Sequence, residues 1–280
     1  MKAQTTLLLG FFAGPICVAQ TYVSGGMYAD EVWTVANSPY VVTDTITVFP
    51  GSTLTIEPGV LVKVDDDRIL EVRGSLIALG TINDTIRFTS SSTSPYMGCW
   101  GGVYINTWVG ASAFLDHCRM DFAASALSVE CCWNGGPVEI RHSTFVNNRV
   151  ALGGYAGWDE IVDSCRFANN EAAVTQADKV IAHSVFVNNV YGLYRTERIS
   201  VRTSHFCNND VALYGGRDVL EENTIVNNRI GIRSFFDGFY DPSNNTIMLN
   251  DTGIVLNPYE VSGGIGTGNI ICQNSSCNVL

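Results

Sequence analysis

The sequence contains few lysines and no apolar run long enough to cross a membrane. Its 280 residues include 16 Lys+Arg against 27 Asp+Glu, which gives a formal net charge of −11. The lysines are Lys2, Lys63 and Lys179. Nucleic-acid binding needs clustered cations that neutralise phosphates, and a membrane-spanning helix needs about 20 consecutive apolar residues. The composition therefore excludes a nucleic-acid partner and predicts no transmembrane segment.

The nine cysteines do not form a recognisable disulfide framework. Their spacing fits no small secreted scaffold, and the chain is too long to need one. No Cys-x-x-Cys pair indicates a zinc site. We expect most of the thiols to be buried as small apolar side chains. Local pairing of Cys131 with Cys132, or of Cys272 with Cys277, stays open as an alternative.

Residues 1–19 have the layout of a secretory signal peptide. Lys2 supplies the positive start, residues 7–18 form the apolar run, and the small residues Cys17 and Ala19 stand where a signal peptidase needs them. The pattern predicts cleavage after Ala19 and a secreted or cell-surface protein. The remaining residues, 20–280, contain no linker and are predicted to form one domain.

Residues 99–280 repeat one short pattern at a nearly constant spacing. The pattern is marked by the last Asn of an Asn-Asn or Leu-Asn pair, which recurs as Asn148, Asn170, Asn189, Asn209, Asn228 and Asn250. Three positions before each Asn lies a large apolar residue: Phe145, Phe167, Phe186, Phe206, Ile225 and Ile247. Four positions after each Asn lies an aliphatic residue: Leu152, Val174, Leu193, Leu213, Ile232 and Ile254.

A repeat of about 20 residues with several short apolar contacts predicts one coil of a β-solenoid. Successive coils would pair as parallel strands about 4.8 Å apart. Asparagine tolerates left-handed backbone at a sharp bend, and stacked Asn amides can hydrogen-bond to each other along the axis. A leucine-rich repeat is the rival at this period, but its leucine spacing is absent. We therefore predict an all-β fold, a right-handed parallel β-helix.

The repeat alignment also predicts the state of two cysteines. Cys118 and Cys165 align in one inward column with Ser143, Ser184 and Ser204. The Ser143 coil separates the two cysteines, which places them about 9–10 Å apart. A disulfide needs Cα atoms within about 7 Å. Both thiols are therefore expected to be free and buried.

Residues 20–98 form a different set of coils. Residues 45–64 alternate apolar and polar side chains, and the alternation is broken at Pro50-Gly51 and Pro58-Gly59. This pattern is typical of short strands joined by turns. We expect these coils to cap the solenoid and to cover its first strand edge.

With these repeats and this opening block, most of the mature chain resembles secreted bacterial right-handed parallel β-helix repeat proteins, the pectate-lyase-like solenoids. Enzymes of that fold include lyases and epimerases that act on acidic polysaccharides with calcium or an acidic cluster and a basic residue. No contiguous catalytic motif of those enzymes is visible here. Fold alone does not supply function, so the resemblance implies the architecture and leaves activity open.

Aligned coils also bring charged residues into columns. One column holds Asp159, Asp178, Glu197 and Arg217, and the next holds Glu160, Lys179, Arg198 and Asp218. We interpret these columns as a solvated corner held by exposed ion pairs, which stabilise little. The acid pair Asp159 and Asp178 is the alternative, since hydrolysis by two carboxylates needs acids about 5–10 Å apart.

Two sets of residues are weak metal candidates. Asp65, Asp66 and Asp67 offer oxygen ligands for calcium at a predicted turn. His117 and His142 lie one coil apart and could share a metal ion with Asp116 or Asp163. Outward polar residues are ordinary at both places, so the sequence predicts no cofactor, with calcium as the one possible exception.

Exposed aromatic residues carry the functional prediction. Trp108, Trp133 and Trp158 recur at a constant spacing in Gly-rich segments, while Tyr194 and Tyr214 align outward with Arg233 next in line. Rows of outward aromatic rings suit the stacking of sugar rings. We therefore predict a non-enzymatic solenoid that binds a polysaccharide or another cell-surface component. The alternative is a polysaccharide lyase, epimerase or hydrolase whose site is not evident in the sequence.

Overall fold

A computed structural model describes residues 19–130, 135–154, 160–177, 179–234, 240–256, 266–275 and 277–279. The chain folds into short strands that pair in parallel with the strands one coil earlier and one coil later. Each full coil gives one strand to each of three sheets, and the structure confirms the predicted parallel β-helix. Within the described ranges, no helix is both long and apolar enough to cross a membrane.

The first sheet contains ten strands and begins each repeat. Its strands are β2 (Glu31–Trp33), β4 (Thr53–Ile56), β7 (Ser75–Leu79), β10 (Ser112–Asp116), β13 (Val138–Arg141), β16 (Glu160–Asp163), β19 (Lys179–Ala182), β22 (Ser200–Arg202), β25 (Val219–Glu221) and β28 (Tyr240–Ser243).

The second sheet follows the first bend of each coil. Its strands are β5 (Leu61–Val64), β8 (Ile86–Ser90), β11 (Cys118–Asp121), β14 (Thr144–Val146), β17 (Arg166–Ala168), β20 (Val185–Val187), β23 (His205–Cys207), β26 (Thr224–Val226), β29 (Thr246–Met248) and β31 (Ile270–Cys272).

The third sheet follows the second bend of each coil. Its strands are β6 (Ile69–Val72), β9 (Gly102–Asn106), β12 (Ser125–Glu130), β15 (Val150–Gly153), β18 (Ala172–Ala177), β21 (Tyr191–Glu197), β24 (Val211–Gly216), β27 (Ile230–Ser234), β30 (Thr252–Val255) and β32 (Cys277–Val279).

The second and third sheets share their first two strands, β1 (Thr21–Met27) and β3 (Tyr40–Val48), which pair with each other. The first half of β3 pairs with β5, and its second half pairs with β6. Short 3₁₀ turns occur at Val35–Asn37 and Thr107–Val109.

The core is one continuous column of apolar side chains inside the three sheets. The predicted inward column is confirmed, because all six of its Phe and Ile side chains are buried. The four phenylalanine rings stack with centroid separations of 5.2, 4.7 and 4.3 Å, in the order Phe145, Phe167, Phe186 and Phe206. The predicted aliphatic column of the third sheet is buried as well.

Each of the two sharp bends combines a left-handed residue with a buried polar one. At the second bend the first Asn of each pair has a left-handed φ, for example 56° at Asn188. The second Asn points inward and is buried, as Asn189 is at 2 % exposure. The first bend repeats this arrangement with His183 at φ 49° followed by the buried Ser184.

The buried asparagines form a continuous ladder from Asn148 to Asn274. The side-chain amide of Asn189 donates to Asn209 Oδ1 at 3.0 Å and to the Phe167 carbonyl oxygen at 3.1 Å. Its Oδ1 accepts from the backbone nitrogen and from Nδ2 of Asn170, at 2.9 and 3.0 Å. All the hydrogen-bonding capacity of this buried amide is therefore used within the bend.

The cysteine prediction is confirmed, since Cys118 and Cys165 are both free and buried. Burial raises the pKa of the Cys165 thiol to about 12 and also raises the pKa of Cys118. Cys272 is free as well, so the alternative pairing with Cys277 is absent from the described part of the chain. Cys131 and Cys132 lie outside the described residues.

The predicted solvated corner is wrong for its second column. Glu160, Lys179 and Asp218 are at most 3 % exposed, and Ile199 rather than Arg198 lies beside Asp218. These residues stand two positions before buried aliphatics of the first sheet, so strand alternation turns them inward. In the other column, Glu197 and the partly exposed Arg217 do form the expected ion pair, at 3.1 Å.

The inward column contains a buried ion pair and a separate buried acid. Lys179 Nζ lies 3.1 Å from Glu160 Oε2 and donates to the Gly154 carbonyl oxygen at 2.9 Å. Burial raises the pKa of Glu160, and the charge of Lys179 offsets part of that rise. Burial also raises the pKa of Asp218 to about 7, although Asp218 accepts hydrogen bonds from Thr196 Oγ1 and the Ile199 nitrogen.

Replacing Phe186 with Ala removes one ring from the middle of the stacked column. We expect the free energy of unfolding to fall by about 3–5 kcal/mol, as for other buried aromatics. The control is Val190→Ala, since Val190 is 44 % exposed and should change stability by less than about 0.5 kcal/mol. Urea denaturation measures both, and similar losses in the two variants would contradict the inward position of the Phe column.

The Asp218→Asn variant tests the raised pKa of the buried acid. A carboxyl whose folded pKa lies above its unfolded pKa keeps its proton in the folded state, so its contribution to stability is lost as pH rises from about 4 to about 7. The Asn variant cannot ionise. Its stability relative to the unmodified protein should therefore be higher at about pH 8 than at about pH 5. A difference between the two proteins that does not change with pH would contradict the assignment.

Candidate functional site

One outward column of the third sheet combines small, hydroxylated and aromatic side chains. Strand pairing aligns this column across eight consecutive coils, in the order Glu71, Tyr104, Ser128, Gly153, Thr175, Tyr194, Tyr214 and Arg233. The column therefore carries tyrosines on both sides of a stretch of small residues. Sequence alignment predicted the order Tyr194, Tyr214 and Arg233, and the strand register agrees with it.

The small residues form the floor of a groove, the third-sheet groove, defined by Ser125, Ser128, Gly153, Thr175 and Gln176. The cavity there has a volume of about 380 Å³, and Tyr104 and Glu130 also line it. Its polar groups are hydroxyls and an amide, with a carboxylate at Glu130. Such groups donate and accept hydrogen bonds in the way that sugar hydroxyls require.

Two glycines explain why the surface is recessed at this point. Gly154 has a φ of 86°, and a β-carbon there would lie 2.1 Å from the Val129 carbonyl oxygen. Only glycine lets the two coils approach this closely. A β-carbon at Gly153 would lie 3.0 Å from Ser125 Oγ and 3.3 Å from Ser128 Oγ, so a side chain at this position would occupy the groove.

A tyrosine cluster, formed by Tyr191, Tyr194 and Tyr214, adjoins the groove on the C-terminal side. The ring centroids of Tyr191 and Tyr194 are 4.4 Å apart, and those of Tyr194 and Tyr214 are 5.9 Å apart. The sequence prediction missed Tyr191. Tyr191 faces outward because the next two residues, Gly192 and Leu193, both point inward and leave the residues on either side of them on the outer face.

Arginine side chains lie over the tyrosine cluster. The Cζ atom of Arg233 is 5.2 Å from the centroid of Tyr214, and that of Arg195 is 5.8 Å from the centroid of Tyr194. Cation–π contacts of this kind hold a guanidinium group near a ring face. The cluster therefore offers aromatic edges and positively charged hydrogen-bond donors together.

Trp108 lies at the end of β9, in the 3₁₀ turn Thr107–Val109, and is 63 % exposed. Trp108 is therefore largely open to solvent, four positions after Tyr104 in the chain, and the aromatic row stays a prediction. Trp133 and Trp158 lie outside the described residues, as do the acids Asp159 and Asp178.

The Asp65–Asp67 run lies at a turn beside a cavity of about 490 Å³. Ser91 donates a hydrogen bond to Asp65 Oδ1, and the Cys99 thiol donates to Asp66 Oδ1 at 3.0 Å. Asp67 has a left-handed φ of 61°. Two of the three carboxylates therefore already accept hydrogen bonds, and calcium at this turn stays a prediction.

The histidine prediction concerns the first bend of the coil, between the first and second sheets. His117 and His142 occupy equivalent left-handed positions, with φ of 45° and 44°, and their rings stack with centroids 4.9 Å apart. Asp116 lies between them, with its Oδ1 atom 2.8 Å from His117 Nδ1 and 2.9 Å from His142 Nδ1. The structure thus brings together the two histidines and one of the aspartates that the sequence had paired with them.

Comparison with known proteins gives limited likeness. No family model matches the chain. A segment of 59 residues is 39 % identical to part of the protein bark beetle from Drosophila melanogaster, covering 21 % of this chain and 2 % of that protein. The chain is also similar to the Dettilon tailspike protein, with a TM-score of 0.33 and 11 % identity over 89 % of this chain and 61 % of the tailspike chain.

Proposed function

We propose that this protein binds a neutral polysaccharide along the third-sheet groove and the adjoining tyrosine cluster, without chemically changing it. The observation that carries the proposal is the continuous outward column, in which small residues, two of them hydroxylated, lie between Tyr104 and Tyr194. Aromatic rings pack against the CH faces of sugars, and the hydroxyls between them offer hydrogen bonds.

The length of the column favours a polymer over a single sugar. Tyr104 and Tyr194 are separated by four strand-to-strand steps, which amount to about 19 Å at the usual strand spacing. Weak contacts along such a length add up when one chain engages several of them at once. The arginines over the cluster add donors for sugar hydroxyls.

Overall charge favours a neutral ligand. The formal net charge of −11 repels polyuronates at low salt. A signal-peptide pattern in residues 1–19 supports a place outside the cell or at its surface. We propose that the protein meets its ligand there, as a binding or adhesive solenoid.

Removing both ring platforms tests the proposal. In a Tyr194→Ala/Tyr214→Ala variant we expect the affinity for a bound neutral polysaccharide to fall by about fivefold or more, since each of the two aromatic contacts contributes about 0.5–1.5 kcal/mol beyond its buried area. The control is Tyr22→Ala, because Tyr22 is a 67 % exposed tyrosine on the capping coil. Affinity is measured on a panel of neutral and acidic polysaccharides, together with the unfolding midpoint.

A second variant tests the groove itself. Gly153→Thr places a side chain on the groove floor, where the neighbouring atoms are serine hydroxyls that can rotate away. This variant should lose binding while keeping its unfolding midpoint. Binding that survives both sets of changes would contradict the proposal, and release of reducing ends from any polysaccharide would show an enzyme instead.

A further inference from the structure

The first bend of the coil repeats one backbone conformation, which places equivalent side chains directly above each other. β10 ends at Asp116 and β13 at Arg141, and these two residues pair in register. The next residue in each coil, His117 or His142, has a left-handed φ. Two imidazoles are thereby held one coil apart, with the Asp116 carboxylate beside both of them.

The nitrogens of this cluster are incompletely paired. His142 Nδ1 makes a hydrogen bond with Asp116 Oδ1 at 2.9 Å. His117 Nδ1 lies 2.8 Å from the same oxygen without the alignment of a hydrogen bond, and this buried atom has no other hydrogen-bond partner in the described part of the chain. An ion bound at this point is one explanation of a buried nitrogen without a hydrogen-bond partner.

Among the described residues, Asp116, His117 and His142 form the group of three whose ligand atoms all lie within 4.8 Å of one another. Two imidazole nitrogens and one carboxylate oxygen are ligands of zinc and related transition metals, whereas calcium and magnesium prefer oxygen alone. We propose that these three side chains bind a divalent transition-metal ion of the zinc type.

The geometry needs only a small adjustment to accept the ion. Zinc holds nitrogen and oxygen ligands at about 2.0–2.2 Å in a tetrahedron, so the ligand atoms must separate from 2.8–2.9 Å to about 3.4 Å. The side chains are 27 %, 31 % and 48 % exposed for His117, Asp116 and His142, which leaves them room to rotate. A water molecule would complete the tetrahedron.

A bound ion would join the coil of β10 to the coil of β13, the first two complete coils within residues 99–280. The site faces away from the third sheet and is independent of the proposed glycan groove. Its occupancy would stabilise the folded state, because the three ligands come together only when both coils are formed.

A second His–Asp pair on the same bend provides a matched control. His183 has the same left-handed position, with φ 49°, and its Nδ1 lies 2.7 Å from Asp163 Oδ1. Ser164 has the equivalent left-handed position in the preceding coil, where a second histidine would have to lie. Arg141 also lies 3.7 Å from Asp163. The pair therefore offers two ligands, and the Arg141 guanidinium competes with a metal ion for the Asp163 carboxylate.

The experiment titrates tag-free protein with Zn²⁺ against a chromophoric chelator. The unmodified chain should bind one Zn²⁺ at this site. His142→Asn should weaken binding by at least about tenfold, because losing a ligand costs more than losing a residue that only orients one. His183→Asn should keep the affinity within about twofold. Asparagine tolerates the left-handed backbone at both positions.

Unfolding midpoints measured with and without Zn²⁺ separate binding from folding. Zn²⁺ should raise the midpoint of the unmodified chain and of His183→Asn, and it should leave His142→Asn unchanged. If His142→Asn fails to fold, Asp116→Asn replaces it with the same expected loss. The proposal is overturned if the unmodified chain binds no Zn²⁺, or if the His142 and His183 variants lose affinity equally.

Discussion

The hydrogen-bonded stack of buried asparagines at the second bend is the interaction on which the rest of the structure depends. A solenoid coil must turn its backbone sharply where the backbone polar groups face away from water, and such groups need partners. The Asn side chains supply them from one coil to the next, as Asn189 does between Asn170 and Asn209. Because each amide binds both neighbouring coils, the ladder also sets the register of the adjacent second and third sheets.

The same constraint explains where a binding surface can form. From β13 to β30 both sharp bends keep a fixed length, with a left-handed residue followed by a buried one, so these bends leave little room for variation between coils. The third corner has no such requirement and accepts turns such as Thr107–Val109. The third sheet, which leads into this corner, carries the groove, the tyrosine cluster and the exposed Trp108. Rigid coils thus hold the variable surface in place, as scaffolds do for loops elsewhere.

The architecture could be predicted because its signals repeat. The Phe column, the Asn ladder and the two free cysteines all followed from the regular spacing of the Asn-Asn pattern. The charged column was predicted to be a solvated corner, whereas strand alternation counted from the buried aliphatics turns its residues inward and puts Ile199 rather than Arg198 beside Asp218. Tyr191 was missed because two consecutive inward residues shift the alternation. The groove depends on the close approach of Gly154 to Val129, a contact between coils that no local pattern encodes.

The central claim is tested by replacing the two asparagines of one bend separately and measuring the free energy of unfolding in urea. Asn189→Ala removes four buried hydrogen bonds to Asn170, Phe167 and Asn209, and we expect it to cost about 3 kcal/mol or more. Asn188→Ala changes an exposed residue whose main role is its left-handed backbone, at a cost of about 1–2 kcal/mol. Equal losses in the two variants, or a larger loss at Asn188, would contradict the view that the buried ladder holds the solenoid together.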